Sequence, residues 1–196
     1  MMMNEIQKQK LQAQFDLLSP QIKGHCMRTS VVMQLFTEQI IGSVPALPEE
    51  NGIRIRPDEI ILFAREFGVY HHLADSLRNP ATPDGASTPQ EMLLSVFSSS
   101  RNASGCFAKG LLETMESHEE HWDGSGLPRG LRGRDIPFWG RICAIAETYD
   151  LACFSGRNSS RKRAMHELIL RAGSDFDPDL IRIFQQCSGK LRMLDR

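Results

Sequence analysis

The sequence predicts an all-α fold. Three observations carry it. Segments rich in good helix formers place apolar residues at helical spacing. Caps followed by proline or acid open several of these segments, at Ser19-Pro20, Pro57-Asp58-Glu59, Thr88-Pro89-Gln90-Glu91 and Phe176-Asp177-Pro178. Proline- and glycine-bearing stretches separate them, at 42–52, 79–87 and 124–133.

In chain order, Glu5 to Leu18 is rich in Gln, Lys, Leu and Ala, with Leu11, Phe15 and Leu18 on one face. It reads as an N-terminal helix or linker over 1–18, preceding a single domain over 19–196. Pro20 opens a second helix toward Ile41, with Ile22, Met33, Leu35, Phe36 and Ile40 as its apolar set. A third begins at Pro57 and buries Ile60, Ile61, Phe63, Ala64 and Phe67. A helix from Pro89 through Phe97 and another from Phe107 to Glu120 follow. Ile136 to Phe154 reads as a buried helix. Ala164 to Arg171 is closed by Gly173, and a last helix from Pro178 turns Leu180, Ile183 and Phe184 inward.

Composition bounds the function. The 196 residues suffice for one domain with a real core. Charged residues are 24% of the chain but nearly balanced, with a formal net charge of −1, so no global field points to nucleic acid or an anionic membrane. The cysteines Cys26, Cys106, Cys143, Cys153 and Cys187 are scattered, without a CxxC pair, which argues against a disulfide scaffold or zinc ribbon. Reduced thiols, no apolar signal core at the N-terminus and no apolar run of about 20 residues set the expectation of a cytoplasmic protein.

The densest chemistry lies in His118-Glu119-Glu120-His121-Trp122-Asp123-Gly124-Ser125-Gly126-Leu127-Pro128-Arg129-Gly130-Leu131. Two imidazoles and three carboxylates occupy six consecutive residues, and glycines and a proline then force a sharp turn. Such a segment suits a metal-ligand helix running into a recognition loop. His121 is expected to face solvent or cap the helix, and Trp122 and Pro128 to anchor the loop. His71-His72 is adjacent on an expected helix, where neighbouring side chains diverge, so the pair is not expected to form a site.

This segment resembles the signature of HD-GYP domains, all-α members of the HD phosphohydrolase superfamily that hydrolyse the bacterial second messenger cyclic di-GMP. Glu120, Trp122-Asp123-Gly124, Ser125-Gly126, Pro128, Gly130-Leu131, Gly133, Ile136-Pro137 and Arg141-Ile142 match in order and spacing. Ala146-Glu147-Thr148-Tyr149-Asp150 sits where the family has Ala-Asp-x-x-Asp, and Gly173 with Phe176-Asp177-Pro178 matches its closing motif. Upstream, Gly24 to Arg28 resembles the family's His-x-x-Arg helix, and Ala64 to Tyr70 the segment bearing the HD dyad.

The resemblance implies a single HD-type helical bundle and metal ligands at matching positions, of which His25, Glu66, His118, Glu119 and Glu147 could ligate here. It also exposes departures. Arg65-Glu66 falls at the dyad, Ser98 where a His is expected, Glu119 at the second His of His-His-Glu, Glu147 for Asp, and Leu127 for the tyrosine of the GYP triplet. Arg65 is expected to replace a missing cation electrostatically among buried carboxylates. The preferred expectation is therefore a degenerate, non-catalytic regulator without cofactor, working in cyclic di-GMP signalling by ligand sensing or protein contact. Gly124, Gly126, Leu127 and Pro128 form the surface for partners such as GGDEF-type cyclase domains. Arg157, Arg161 and Lys162 fall in the family's phosphate-contacting region and are candidate nucleotide ligands. The alternative is a working phosphodiesterase with iron or manganese in a carboxylate-rich site. A third reading is a structural domain of a larger regulatory assembly.

Overall fold

The structure, a computed structural model, describes residues 3–43, 56–76, 88–97, 104–154 and 160–195. Its helices are α1 (Glu5–Asp16), α2 (Pro20–Ser43), α3 (Pro57–Tyr70), α4 (Leu73–Ser76), α5 (Pro89–Phe97), α6 (Ser104–Ser117), α7 (Phe138–Phe154), α8 (Arg161–Leu170) and α9 (Pro178–Gln185). Short 3₁₀ turns span Gly133–Asp135 and Gln186–Asp195. Among the described residues there is no strand beyond an isolated bridge between Ala172 and Phe176. None of the described helices is long and apolar enough to cross a membrane.

Local chemistry explains the helix starts. Asn4 caps α1 through a reciprocal capping box with Gln7, so the helix begins at Glu5. Thr88 and Glu91 exchange the same pair of hydrogen bonds ahead of α5. Asp177 caps α9 by accepting from the backbone N–H groups of Asp179 and Leu180. Gly173 closes the turn after α8 at φ +87°, where glycine carries no steric penalty.

The long helix α2 is the spine, packed against α3 and α7, while α6 closes the other side of α3 and α7. Met33, Phe36, Phe67, Leu111, Ile142 and Ile145 are fully buried where these helices meet. The approach of α3 to α2 is close enough to require Gly68, because a Cβ there would lie 2.5 Å from Ser30 Cα. Leu11 and Phe15 of α1 are buried, and the Phe15 ring meets Tyr70 edge-on at 6.1 Å.

Two expected boundaries shift in ways that matter. Helix α6 ends at Ser117, so His118 and Glu119 lie in the turn beyond it rather than on the helix. Helix α3 ends at Tyr70, and His71 and His72 form a turn before α4. Both pairs of ionisable side chains thus sit at helix ends, where the direction of a side chain is set by the turn and not by a helical face.

Candidate metal centre

His25 and Arg28 are three residues apart on α2, and Glu147 and Asp150 are three apart on α7. Each pair therefore shares one helix face, and the packing of α2 on α7 interlocks them. Asp150 is wholly buried. Its carboxylate accepts from His25 Nδ1 at 2.7 Å and from Arg28 Nε at 2.7 Å and Nη2 at 3.0 Å. The Arg28 guanidinium also lies over the Phe154 ring at 4.7 Å. A carboxylate can only accept, so the proton of this contact resides on Nδ1 and His25 turns Nε2 toward Glu147, whose Oε1 is 3.7 Å away.

His71 and His118 are held in the same manner. Nδ1 of His71 donates to the carbonyl oxygen of Gly68 at 2.7 Å, and Nδ1 of His118 to that of Thr114 at 2.9 Å. The Nε2 atoms of His25, His71 and His118 are buried and have no hydrogen-bond partner among the described residues. Three imidazoles with Nδ1 satisfied and Nε2 bare and buried are costly in a metal-free interior. The same arrangement is what a ligating histidine needs, since the outer hydrogen bond fixes tautomer and ring orientation.

His72 completes the group, with Nε2 3.5 Å from Glu147 Oε1. One donor atom each from His25, His71, His72 and Glu147 lies within 4.8 Å of the other three. Bonds of about 2.1 Å place donors roughly 3.0 to 4.2 Å apart around a tetrahedral or octahedral ion. The four residues therefore fit a first-row divalent ion with a small inward movement. The His118 ring stands edge-on to His71 and His72, 5.4 Å from each, just outside the four.

The electrostatics of the cluster suit a cation. Burial, reinforced by the neighbouring His72 and His118, holds His71 well below the usual imidazole range, so it stays neutral. At His25, burial opposes the charge, but the hydrogen bond to Asp150 and the Glu147 carboxylate 3.7 Å away outweigh it and raise the pKa to about 9. At Glu147 burial is likewise overcome, by the His25 and His72 imidazoles 3.7 and 3.5 Å away, and the carboxyl is held far below the usual range. The rise at His25 and the fall at Glu147 include one shared ion pair. A proton on His25 is thus the natural occupant that a metal would displace.

The sequence-derived candidates are distributed unevenly over this geometry. His25 and Glu147 are in the cluster, and His118 borders it. Glu66 is not part of it. Burial raises its pKa, and the charges that act on it are Arg65 and Lys8 on the α1 side. Arg65 is exposed, so its expected role as a substitute cation inside the site does not hold. Glu119 is exposed and lies at the edge of a cleft of about 400 Å³, lined in addition by His71, His72, Glu116, His118, Pro128 and Arg129. The pair that reaches the cluster is His71-His72, six residues beyond Arg65-Glu66. The expectation that adjacent histidines diverge failed because they occupy a turn, where the rings lie 4.2 Å apart. A sequence signal existed, in two consecutive imidazoles directly after an apolar helix bearing Gly68.

Arg161 and Lys162 line a different cavity of about 470 Å³, with Tyr149, Met165, His166 and Arg192, and do not border the metal cluster's cleft. Arg157 and Ser98 lie outside the described residues. His121 is partly exposed, with Nδ1 3.0 Å from Ser125 Oγ and Nε2 3.8 Å from Asp175.

The glycine turn is built around Glu120, which is 2% exposed. Its carboxylate accepts from the backbone N–H of Arg129 at 2.7 Å and of Leu131 at 2.9 Å. Gly126 is obligatory, because a Cβ would fall 2.1 Å from the His121 nitrogen. The loop is tied to the turn after α8 through Trp122 N–H to Asp175 O and Asp123 N–H to Ser174 O. Arg141 braces it from below, bonded to Asp177 at 2.6 Å and lying 5.9 Å from the Trp122 ring. Leu127, joined to Pro128 by a cis peptide, is 67% exposed.

Residues 102–180 match the HD domain family. A 3′3′-cGAMP-specific phosphodiesterase 3 of Vibrio cholerae is 32% identical over 88 residues, 45% of this chain and 18% of that protein. A probable cyclic di-GMP phosphodiesterase of the same organism is 44% identical over 78 residues, 37% of this chain and 17% of that protein. A cyclic di-GMP phosphodiesterase of Thermotoga maritima is 38% identical over 76 residues, 37% of this chain and 20% of that protein. The matched stretch thus spans a fifth or less of each of these relatives. In fold, a crystal structure of a Vibrio cholerae cyclic GMP-AMP-specific phosphodiesterase superposes with a TM-score of 0.56 at 18% identity, over 96% of this chain and 50% of that one. The helical architecture, the glycine turn and the matched segment agree: residues 102–180 match the HD domain family, and this part of the chain is similar to phosphodiesterases of cyclic di-GMP and of cyclic GMP-AMP.

Proposed function

We propose that this domain holds a divalent metal ion on His25, His71, His72 and Glu147 and hydrolyses a cyclic dinucleotide in the adjoining cleft. The observation that carries this is the gathering of the buried, unpartnered Nε2 atoms of His25 and His71 with His72 and the Glu147 carboxylate in one cluster. A mixed imidazole and carboxylate donor set suits iron or manganese. When bound, such an ion would supply Lewis acidity toward a phosphodiester and lower the pKa of water. The protein's own part is to keep His25 and His71 in the ligating tautomer through Asp150 and Gly68. It also closes the floor of the cleft with His118 and presents the rigid glycine turn at its mouth. The names of the homologous proteins support the substrate class.

A second reading retains the fold without the reaction: a regulator of cyclic di-GMP signalling that contacts partners such as GGDEF-type cyclase domains through Gly124 to Leu131. The observation favouring it is the exposure of Leu127 at the tip of a rigid turn. Purification without chelator, followed by quantification of iron, manganese and zinc and an assay of cyclic di-GMP hydrolysis, separates the two. Stoichiometric metal with linear dinucleotide product is the expected result. Metal without turnover leaves the regulator, and protein that takes up no metal from any of the three salts overturns the metal centre itself.

A further inference from the structure

Among the described residues lining the metal-side cleft, Arg129 is the one guanidinium, and it stands at the end of a chain of constraints. Its backbone N–H is fixed 2.7 Å from the buried Glu120 carboxylate, two residues before Leu131 is fixed by the other oxygen at 2.9 Å. Gly126 allows the turn to pass against the backbone of Glu120 and His121 with no room for a Cβ. Gly130, at φ +64°, reverses the chain directly after Arg129. The Arg129 main chain is therefore immobilised while its side chain is exposed, and it forms no ion pair among the described residues. A buried carboxylate spent on positioning two amides implies that what they position has a task.

The rest of the cleft defines that task. Glu116 and Glu119 line it with Arg129, and Glu147 belongs to the cluster beside it. Without metal these carboxylates outnumber the guanidinium and repel an anion. A divalent ion on the cluster reverses the balance and leaves Arg129 as the directional donor at the mouth. A guanidinium matches phosphate oxygens with two parallel N–H bonds, which a point charge cannot do.

We infer that Arg129 is a phosphate-binding residue of this cleft, gripping a phosphodiester only when the metal centre is loaded. The inference rests on the metal-cleft reading above. It is tested by isothermal titration of metal-loaded and chelated protein with cyclic di-GMP and, as a generic phosphodiester, bis(4-nitrophenyl) phosphate. The variants are Arg129→Ala, Arg129→Lys and Arg161→Ala, the last lining the other cavity. Arg129→Ala should retain its metal and weaken both probes by about 10-fold to 100-fold, the worth of charge-assisted hydrogen bonds. Arg129→Lys should fall between, Arg161→Ala should match the parent, and chelation should abolish binding. Undiminished binding in Arg129→Ala, or an equal loss in Arg161→Ala, overturns this inference alone. A metal-loaded parent that binds neither probe overturns it together with the cleft reading.

Discussion

Asp150 Oδ2 lies 2.7 Å from Nδ1 of His25, and both are buried. This contact decides which nitrogen of His25 faces Glu147, so the candidate metal centre depends on a residue outside its four donors. Asp150→Asn should lower metal affinity about 10-fold to 100-fold, the usual cost of losing a carboxylate behind a ligating histidine. Metal titration of the folded variant checks it; unchanged affinity would remove Asp150 from the centre's design.

The shared proton gives a pH signature. In metal-free protein His25 has a pKa of about 9 against an ordinary 6.5. A raised folded-state value means that its contribution to stability is fully present below pH 6.5 and is lost as pH rises through about 9. Metal-free protein should therefore show a falling Tm over that window. Metal binding expels the proton, so metal affinity should rise across the same window. Thermal melts with and without chelator from pH 6 to 10 measure both trends, and parallel melts would contradict the assignment.

Three carboxylates separate the geometry from the motif. Glu147→Gln should cost the protein its metal. Glu66→Gln and Glu119→Gln should keep full stoichiometry, because Glu66 answers to Lys8 and Arg65 and Glu119 stands exposed at the cleft edge. Elemental analysis of the three purified variants gives the answer directly.

The same comparison shows what was legible beforehand. Helical spacing located the buried faces of α2 and α3, since burial follows local periodicity. The glycine turn was legible because its backbone demands particular residues at particular places, as at Gly126. His25 and Glu147 were legible through their motif spacing. His71 and His72 were not, because their convergence is set by the end of α3 and by its packing on α2 at Gly68, a tertiary relation invisible to a helical wheel. Asp150 was visible only as part of a matched motif, and its bond to His25 spans 125 positions of sequence.

Steric limits make two glycines sensitive. Gly126→Ala places a methyl 2.1 Å from the His121 nitrogen, and Gly68→Ala one 2.5 Å from Ser30 Cα, both against backbone. Each should destabilise by about 1 to 3 kcal/mol or more. The two should differ in kind: Gly68→Ala displaces the carbonyl that orients His71 and should also weaken metal binding, while Gly126→Ala should act first on the turn. Chemical denaturation paired with metal titration distinguishes them.

The backbone bonds from Trp122 and Asp123 to Asp175 and Ser174 make the recognition turn and the chain some fifty positions later a single mechanical piece. A protein engineer who kept the glycine motif but cut the chain near residue 170 would leave two amides and the Arg141 brace without their anchors. That dependence also gives a physical meaning to the reach of the homologous segment to residue 180: the smallest portion that can be passed intact from one protein to another is the one that contains both ends of this stitch.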